Sequence, residues 1–107
     1  MPETSVQELK SALKNGVGIH LLDVREVAEV QICALPYAEH IPMLQLFSGM
    51  TKPTADLDSR IVVYCHHGPR SIEAASFLRA QGYTDVHSLH GGIDAWAQVI
   101  EPTMRRY

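Results

Sequence analysis

Apolar positions along this chain alternate between two spacings, and the changes of spacing mark its elements. Val6, Leu9, Ala12 and Leu13 recur on one helical face, which predicts an amphipathic helix over residues 6–15 that ends at Asn15-Gly16. Ser5 and Glu8 stand at the spacing of a capping box, in which each side chain satisfies the other residue's backbone N–H. Residues 18–24 form a short apolar run that predicts a buried strand. From Glu26 to about Ile32 the pattern predicts a short helix, followed by a connection over residues 33–37. Glu39 to Pro42 predicts a short strand stopped by its proline, residues 43–50 a further helical turn or two, and residues 52–56 a loop.

The second half repeats the alternation more clearly. Arg60 to Tyr64 is β-branched and apolar on both faces, the pattern of a strand buried on two sides. Ser71 to Ala80 predicts a helix burying Ile72, Ala75, Phe77 and Leu78, with Gln81-Gly82 ending it. Val86 to Leu89 is a last strand, Gly91-Gly92 a break, and Ile93 to Ile100 a last helix. Strands alternating with helices over short loops predict an α/β domain with a mostly parallel sheet covered on both faces. Residues 1–107 read as a single domain, without repeats or linkers.

Composition narrows the function classes. The net charge of −3 gives no support for a nucleic-acid partner or an acidic membrane surface. No apolar run approaches the roughly 18–20 residues of a membrane span. Met1-Pro2-Glu3-Thr4 has the character of neither a secretory signal nor an Arg-rich transit peptide. Two cysteines, Cys33 and Cys65, are few for a disulfide scaffold, so the expectation is a reducing, cytoplasmic setting with Cys65 free. A Cys33–Cys65 bond stays open at the level of sequence.

The chemistry concentrates in Cys65-His66-His67-Gly68-Pro69-Arg70-Ser71. A cysteine between a strand end and a helix start meets backbone N–H groups and a helix dipole that favour negative charge, and the thiolate is the nucleophilic form. Gly68 lets the loop curl, and Pro69 fixes its own φ while removing one amide donor. Arg70 is suited to anchor an oxyanion through paired N–H groups. Ser71 supplies either a hydroxyl contact or a helix cap, while His66 and His67 are expected to line the mouth. Four residues separate Cys65 from Arg70, which suits a sulfur atom and crowds a tetrahedral phosphate.

Four segments together resemble the single-domain rhodanese-like sulfurtransferases: Leu21-Leu22-Asp23-Val24-Arg25-Glu26, His40-Ile41-Pro42, the cysteine loop, and Gly91-Gly92-Ile93-Asp94-Ala95-Trp96. The resemblance implies a three-layer α/β/α domain around a mainly parallel sheet of about five strands. It also implies that Cys65 takes sulfane sulfur from thiosulfate or another persulfide donor, holds it as a persulfide, and yields it to cyanide, a thiol or a protein. No cofactor is implied. The stretch Cys33-Ala34-Leu35-Pro36-Tyr37-Ala38-Glu39-His40 departs from the commoner family pattern. It is similar to rhodanese domains appended to adenylating enzymes that feed sulfur-carrier proteins, which makes such a carrier a candidate acceptor. Two alternatives stay open here: a small phosphatase or arsenate-reductase-like enzyme using the same loop, and a non-catalytic partner-binding module.

The remaining polar residues have plainer readings. Asp23 and Arg25 at a strand end are expected to hold loops as an ion pair. The six histidines match no common zinc spacing, so no metal is expected. Cys33 is expected to pack as a small apolar residue, with a resolving-thiol role as the alternative. Trp96 reads as core, Gly91-Gly92 as a close-packed turn that borders the active-site mouth in the family, and Arg105-Arg106-Tyr107 as a solvated tail.

Overall fold

In the computed structural model, which describes residues 2–107, the chain runs β1 (Glu3–Thr4), α1 (Val6–Lys14), β2 (His20–Asp23), α2 (Val27–Ile32), β3 (Glu39–His40), α3 (Met43–Ser48), β4 (Arg60–Tyr64), α4 (Pro69–Ala80), β5 (Asp85–Leu89) and α5 (Gly92–Val99). Met1, the first residue of the predicted domain, lies outside the described residues. The five strands form one sheet in the order β1-β5-β4-β2-β3, and every neighbouring pair is parallel. The apolar run predicted to be buried on two sides, β4, is the central strand.

Alternation along β4 divides the core. Ile61, Val63 and Cys65 face a layer built with Leu46, Ala74, Ala75 and Leu78 from α3 and α4. Val62 and Tyr64 face the opposite layer, with Val6, Leu9, Ile93 and Trp96 from α1 and α5. Residues 61–65 are all fully buried, and each large apolar side chain so placed contributes about 1.5–3 kcal/mol. The outcome is the expected three-layer arrangement.

Local signals explain the boundaries. The Ser5–Glu8 capping box forms with both reciprocal bonds at 3.0 Å. Helix α4 starts at Pro69, two residues before the expected Ser71, because proline supplies helical φ at a position whose N–H has no helical partner. Its buried face is Ser71, Ala74, Ala75 and Leu78, while Ile72 and Phe77 are only partly covered. Small residues there let the helix approach the sheet closely. Strand β1 carries no apolar signature and exists through its pairing with β5 at the sheet edge.

Parallel strands put all their carboxyl ends on one side. The segments that follow β2, β4 and β5 therefore meet above the middle of the sheet.

Candidate active site

Cys65 follows β4 directly, and its thiol sits at the N-terminal end of α4. The side chain is fully buried. Gly68 donates its backbone N–H to Cys65 Sγ at 3.1 Å. It does so from φ 130, a conformation open to glycine alone, so the loop curls back on the sulfur as expected. Pro69 follows as the first helical residue and contributes no donor.

Ser71 sits deeper than a mouth residue. It is fully buried, its hydroxyl donates to the Gly68 carbonyl at 2.9 Å, and it shares a 2.7 Å hydrogen bond with Ser88 of β5. With its proton committed to Gly68, Ser71 Oγ accepts from the Cys65 thiol at 3.7 Å. Ser71 thus braces the loop from below, and Ser88, which the sequence did not single out, braces Ser71.

The outer side of the loop is held by α5. Ile93 N–H donates to the Cys65 carbonyl at 2.9 Å and Asp94 N–H to the His66 carbonyl at 3.0 Å. Both loop carbonyls are thereby turned outward. Gly92 makes this approach possible: a Cβ there would collide with the carbonyl oxygens of His66 and of Cys65, the latter at 2.6 Å. The glycine pair does border the cysteine loop.

Arg70 occupies the loop's far end, and a carboxylate already engages it. Its Nη1 and Nη2 donate to Glu29 Oε1 and Oε2 at 2.6 and 2.8 Å. This double pairing raises the Arg70 pKa further above its ordinary value. On the other side, the Arg70 hydrogen bonds hold the Glu29 carboxyl down to about 2, against the opposing effect of burial. Glu29 lies on α2, just beyond the end of β2. The sequence reading passed over it, although that placement beside β4 is a usable signal.

Asp23 and Arg25 form the expected ion pair, fully buried. Arg25 Nε and Nη2 donate to the two Asp23 oxygens at 2.9 and 2.7 Å, and Nη2 also reaches the Cys33 carbonyl at 2.7 Å. Burial opposes the charge on Arg25, but the hydrogen bonds it donates to Asp23 and Tyr107 outweigh that and leave the pKa raised. The His40 ring closes the same corner against the Arg25 carbonyl at 2.6 Å. Cys33 is partly buried and packs against the layer containing Leu35 and Trp96, and neither cysteine is bridged.

Residues 105–107 are exposed, as expected of a solvated tail, but two of them are anchored. Arg106 pairs with Asp94, and Tyr107 folds back over the cysteine loop. Its ring stacks on His66 with centroids 3.8 Å apart and planes 9° from parallel. Its hydroxyl donates to Glu29 Oε2 at 2.8 Å and accepts from Arg25 Nη1 at 3.0 Å. Burial raises the Tyr107 hydroxyl to about 12, so it keeps its proton for Glu29. An aromatic face and two charged partners, brought together by the fold, hold this segment in place.

His66 and His67 lie side by side on the loop, with ring centroids 3.8 Å apart and planes tilted by 33°. Desolvation, reinforced by the charge of His67, lowers the His66 pKa. The two histidines and Asp94 bring potential ligand atoms within 4.8 Å of one another. His67 Nε2 instead faces an Asp94 oxygen directly at 3.7 Å, the geometry of an ion pair. Asp94 is also occupied by Arg106 and Gln98.

Comparison with known proteins agrees with this architecture. The family model described as Rhodanese-like domain matches residues 5–99. A Mycobacterium tuberculosis protein named "Probable adenylyltransferase/sulfurtransferase MoeZ" is 36% identical over 94% of this chain, which spans only 26% of that relative's length. A protein named "Sulfurtransferase" from Allochromatium vinosum is 35% identical over 90% of this chain and 88% of its own. A "Thiosulfate sulfurtransferase GlpE" from Pseudomonas savastanoi is 38% identical over 74% of this chain and 73% of its own. Among solved structures, the human single-domain sulfurtransferase TSTD1 superimposes with a TM-score of 0.82 at 27% identity, covering 92% of this chain and 97% of that one.

Proposed function

This chain belongs to the rhodanese-like domain family, and from that premise we propose that it is a sulfurtransferase carrying sulfane sulfur on Cys65. The observation that carries the reading is the Gly68 N–H aimed at Cys65 Sγ from a loop whose carbonyls are turned away. Such a cradle stabilises a sulfur anion in two states, the attacking thiolate and the persulfide.

In the first half-reaction the Cys65 thiolate attacks the outer sulfur of a donor. A new S–S bond forms, the donor's own S–S bond breaks, and its electron pair leaves with the rest of the donor, as sulfite when the donor is thiosulfate. In the second, a nucleophile attacks the outer sulfur of the Cys65 persulfide and restores the thiolate. Cyanide yields thiocyanate, and a thiol or a carrier protein takes the sulfur onward. Splitting one transfer into two displacements is covalent, ping-pong catalysis. The loop from Cys65 to Arg70 binds the donor, with His66 and His67 at its rim.

The likeness to a relative named for both adenylyltransferase and sulfurtransferase supports a sulfur-carrier protein as acceptor. Among the described residues no helix is long and apolar enough to cross a membrane. Two unbridged cysteines support a reducing, cytoplasmic setting.

Mass spectrometry after donor treatment tests the proposal. The wild-type protein should gain one sulfur atom, which cyanide then removes, and Cys65→Ser should gain none. Wild-type protein that stays unmodified by thiosulfate and by persulfide donors alike would overturn it.

A further inference from the structure

The charges around the cysteine loop are matched pair by pair. Arg25 is held by Asp23, Arg106 by Asp94, and Arg70 by both oxygens of Glu29. His67 also faces Asp94, at 3.7 Å. The Glu29 carboxylate is fixed by three partners, Arg70, the Tyr107 hydroxyl and the Glu26 backbone N–H. It sits where an incoming oxyanion would seek the Arg70 guanidinium.

Thiosulfate carries two negative charges, concentrated on its sulfonate oxygens. To use Arg70 it must displace the Glu29 carboxylate or lie beside it, and like charges at such range repel strongly in a partly desolvated site. A thiol persulfide makes no such demand. Its protonated outer sulfur is neutral, and its substituent meets the stacked faces of His66 and Tyr107.

We propose that Glu29 sets the donor preference of this site, selecting small-thiol persulfides over thiosulfate by withholding Arg70 from the sulfonate. The favoured step is attack of the Cys65 thiolate on the outer sulfur of R–S–SH. The Cys65–S bond forms, the donor's S–S bond breaks, and the electron pair leaves as R–S⁻, with the proton retained on the transferred sulfur. Glu29 acts through Arg70 and is a positioning residue that does not touch the reacting atoms. The inference rests on the sulfurtransferase reading above.

The test is single-turnover loading of Cys65 with thiosulfate and with the persulfide of 2-mercaptoethanol, which carries no other charge. Removing one carboxylate charge next to the guanidinium in Glu29→Gln should raise the thiosulfate-to-persulfide ratio of specificity constants by about tenfold or more. The gain should come through a lower thiosulfate KM, while Glu29→Asp, which keeps the charge, should stay near the wild-type ratio. If Glu29→Gln does not fold, Tyr107→Phe removes one hydrogen bond from Glu29 and should move the ratio in the same direction by roughly two- to fivefold. An unchanged or lowered ratio in the folded variant overturns the inference while leaving sulfur transfer intact. Wild-type protein that takes sulfur from neither donor overturns both.

Discussion

Replacing Gly92 by alanine gives the most direct measure of how the fold holds its cysteine loop. Gly92 has φ +63, and an added Cβ would strike the carbonyls of Cys65 and His66. The left-handed backbone alone costs a non-glycine residue about 1–2 kcal/mol. Overpacking against backbone that cannot swing aside adds about 1–3 kcal/mol. Relief by backing α5 away would stretch the bonds from Ile93 and Asp94 to those carbonyls, at about 0.5–1.5 kcal/mol each. The total is about 3–8 kcal/mol, a large part of the roughly 5–15 kcal/mol that holds a domain of this size together. Gly16 is the matched control: its φ is +74, but nothing lies within 4 Å of its would-be Cβ, so Gly16→Ala isolates the backbone cost. Thermal unfolding followed by circular dichroism should show Gly16→Ala melting about 4–8 °C below wild type and Gly92→Ala at least about 12 °C below, or unfolded. Equal shifts in the two variants would refute the argument that α5 is pressed against the loop.

Two further outcomes follow from the charged groups. Asp23→Ala leaves the fully buried Arg25 without its carboxylate, and urea unfolding should show a loss of about 3–5 kcal/mol, whereas a loss below about 1 kcal/mol would contradict the buried pair. Arg70 holds the Glu29 carboxyl at about 2, below its model-compound value of 4.5, so its ionisation favours the folded state above about pH 4.5, and that contribution disappears as pH falls through about 2. Melting temperatures across this acid window should therefore fall more steeply for wild type than for Glu29→Gln, and parallel curves would count against the pairing.

How much of this the sequence revealed depended on whether a signal was local. The capping box at Ser5 and Glu8, the two-sided strand at residues 60–64 and the Asp23–Arg25 pair are each written within a few residues, and each formed as read. Cys65, Gly68 and Pro69 were legible for the same reason, since a tight loop between strand and helix restricts its own composition. Strand β1 was not legible, because Glu3 and Thr4 are paired only by an edge that forms elsewhere in the chain. Ser71 was expected to offer a hydroxyl contact or a helix cap, and its bracing by Ser88 was not legible because that partner lies on another strand. Glu29 and Tyr107 were missed for the same physical reason. Their importance comes from meeting Arg70 and His66 across the fold, and no spacing in the sequence encodes that meeting.

The two hydrogen bonds from α5 to the loop carbonyls also bear on when the cysteine loop reaches its final shape. The strand that carries Cys65 can pair with β2 as soon as both have been synthesised, but the peptide planes at Cys65 and His66 take their final orientation only once Ile93 and Asp94 arrive. Contacts this distant along the chain close late, after the loop entropy between them has been overcome. A chain still emerging from the ribosome therefore carries the cysteine loop without the two bonds that fix its carbonyls. A truncated or half-made copy likewise holds Cys65 in a loop whose carbonyls are not yet pinned by the last helix.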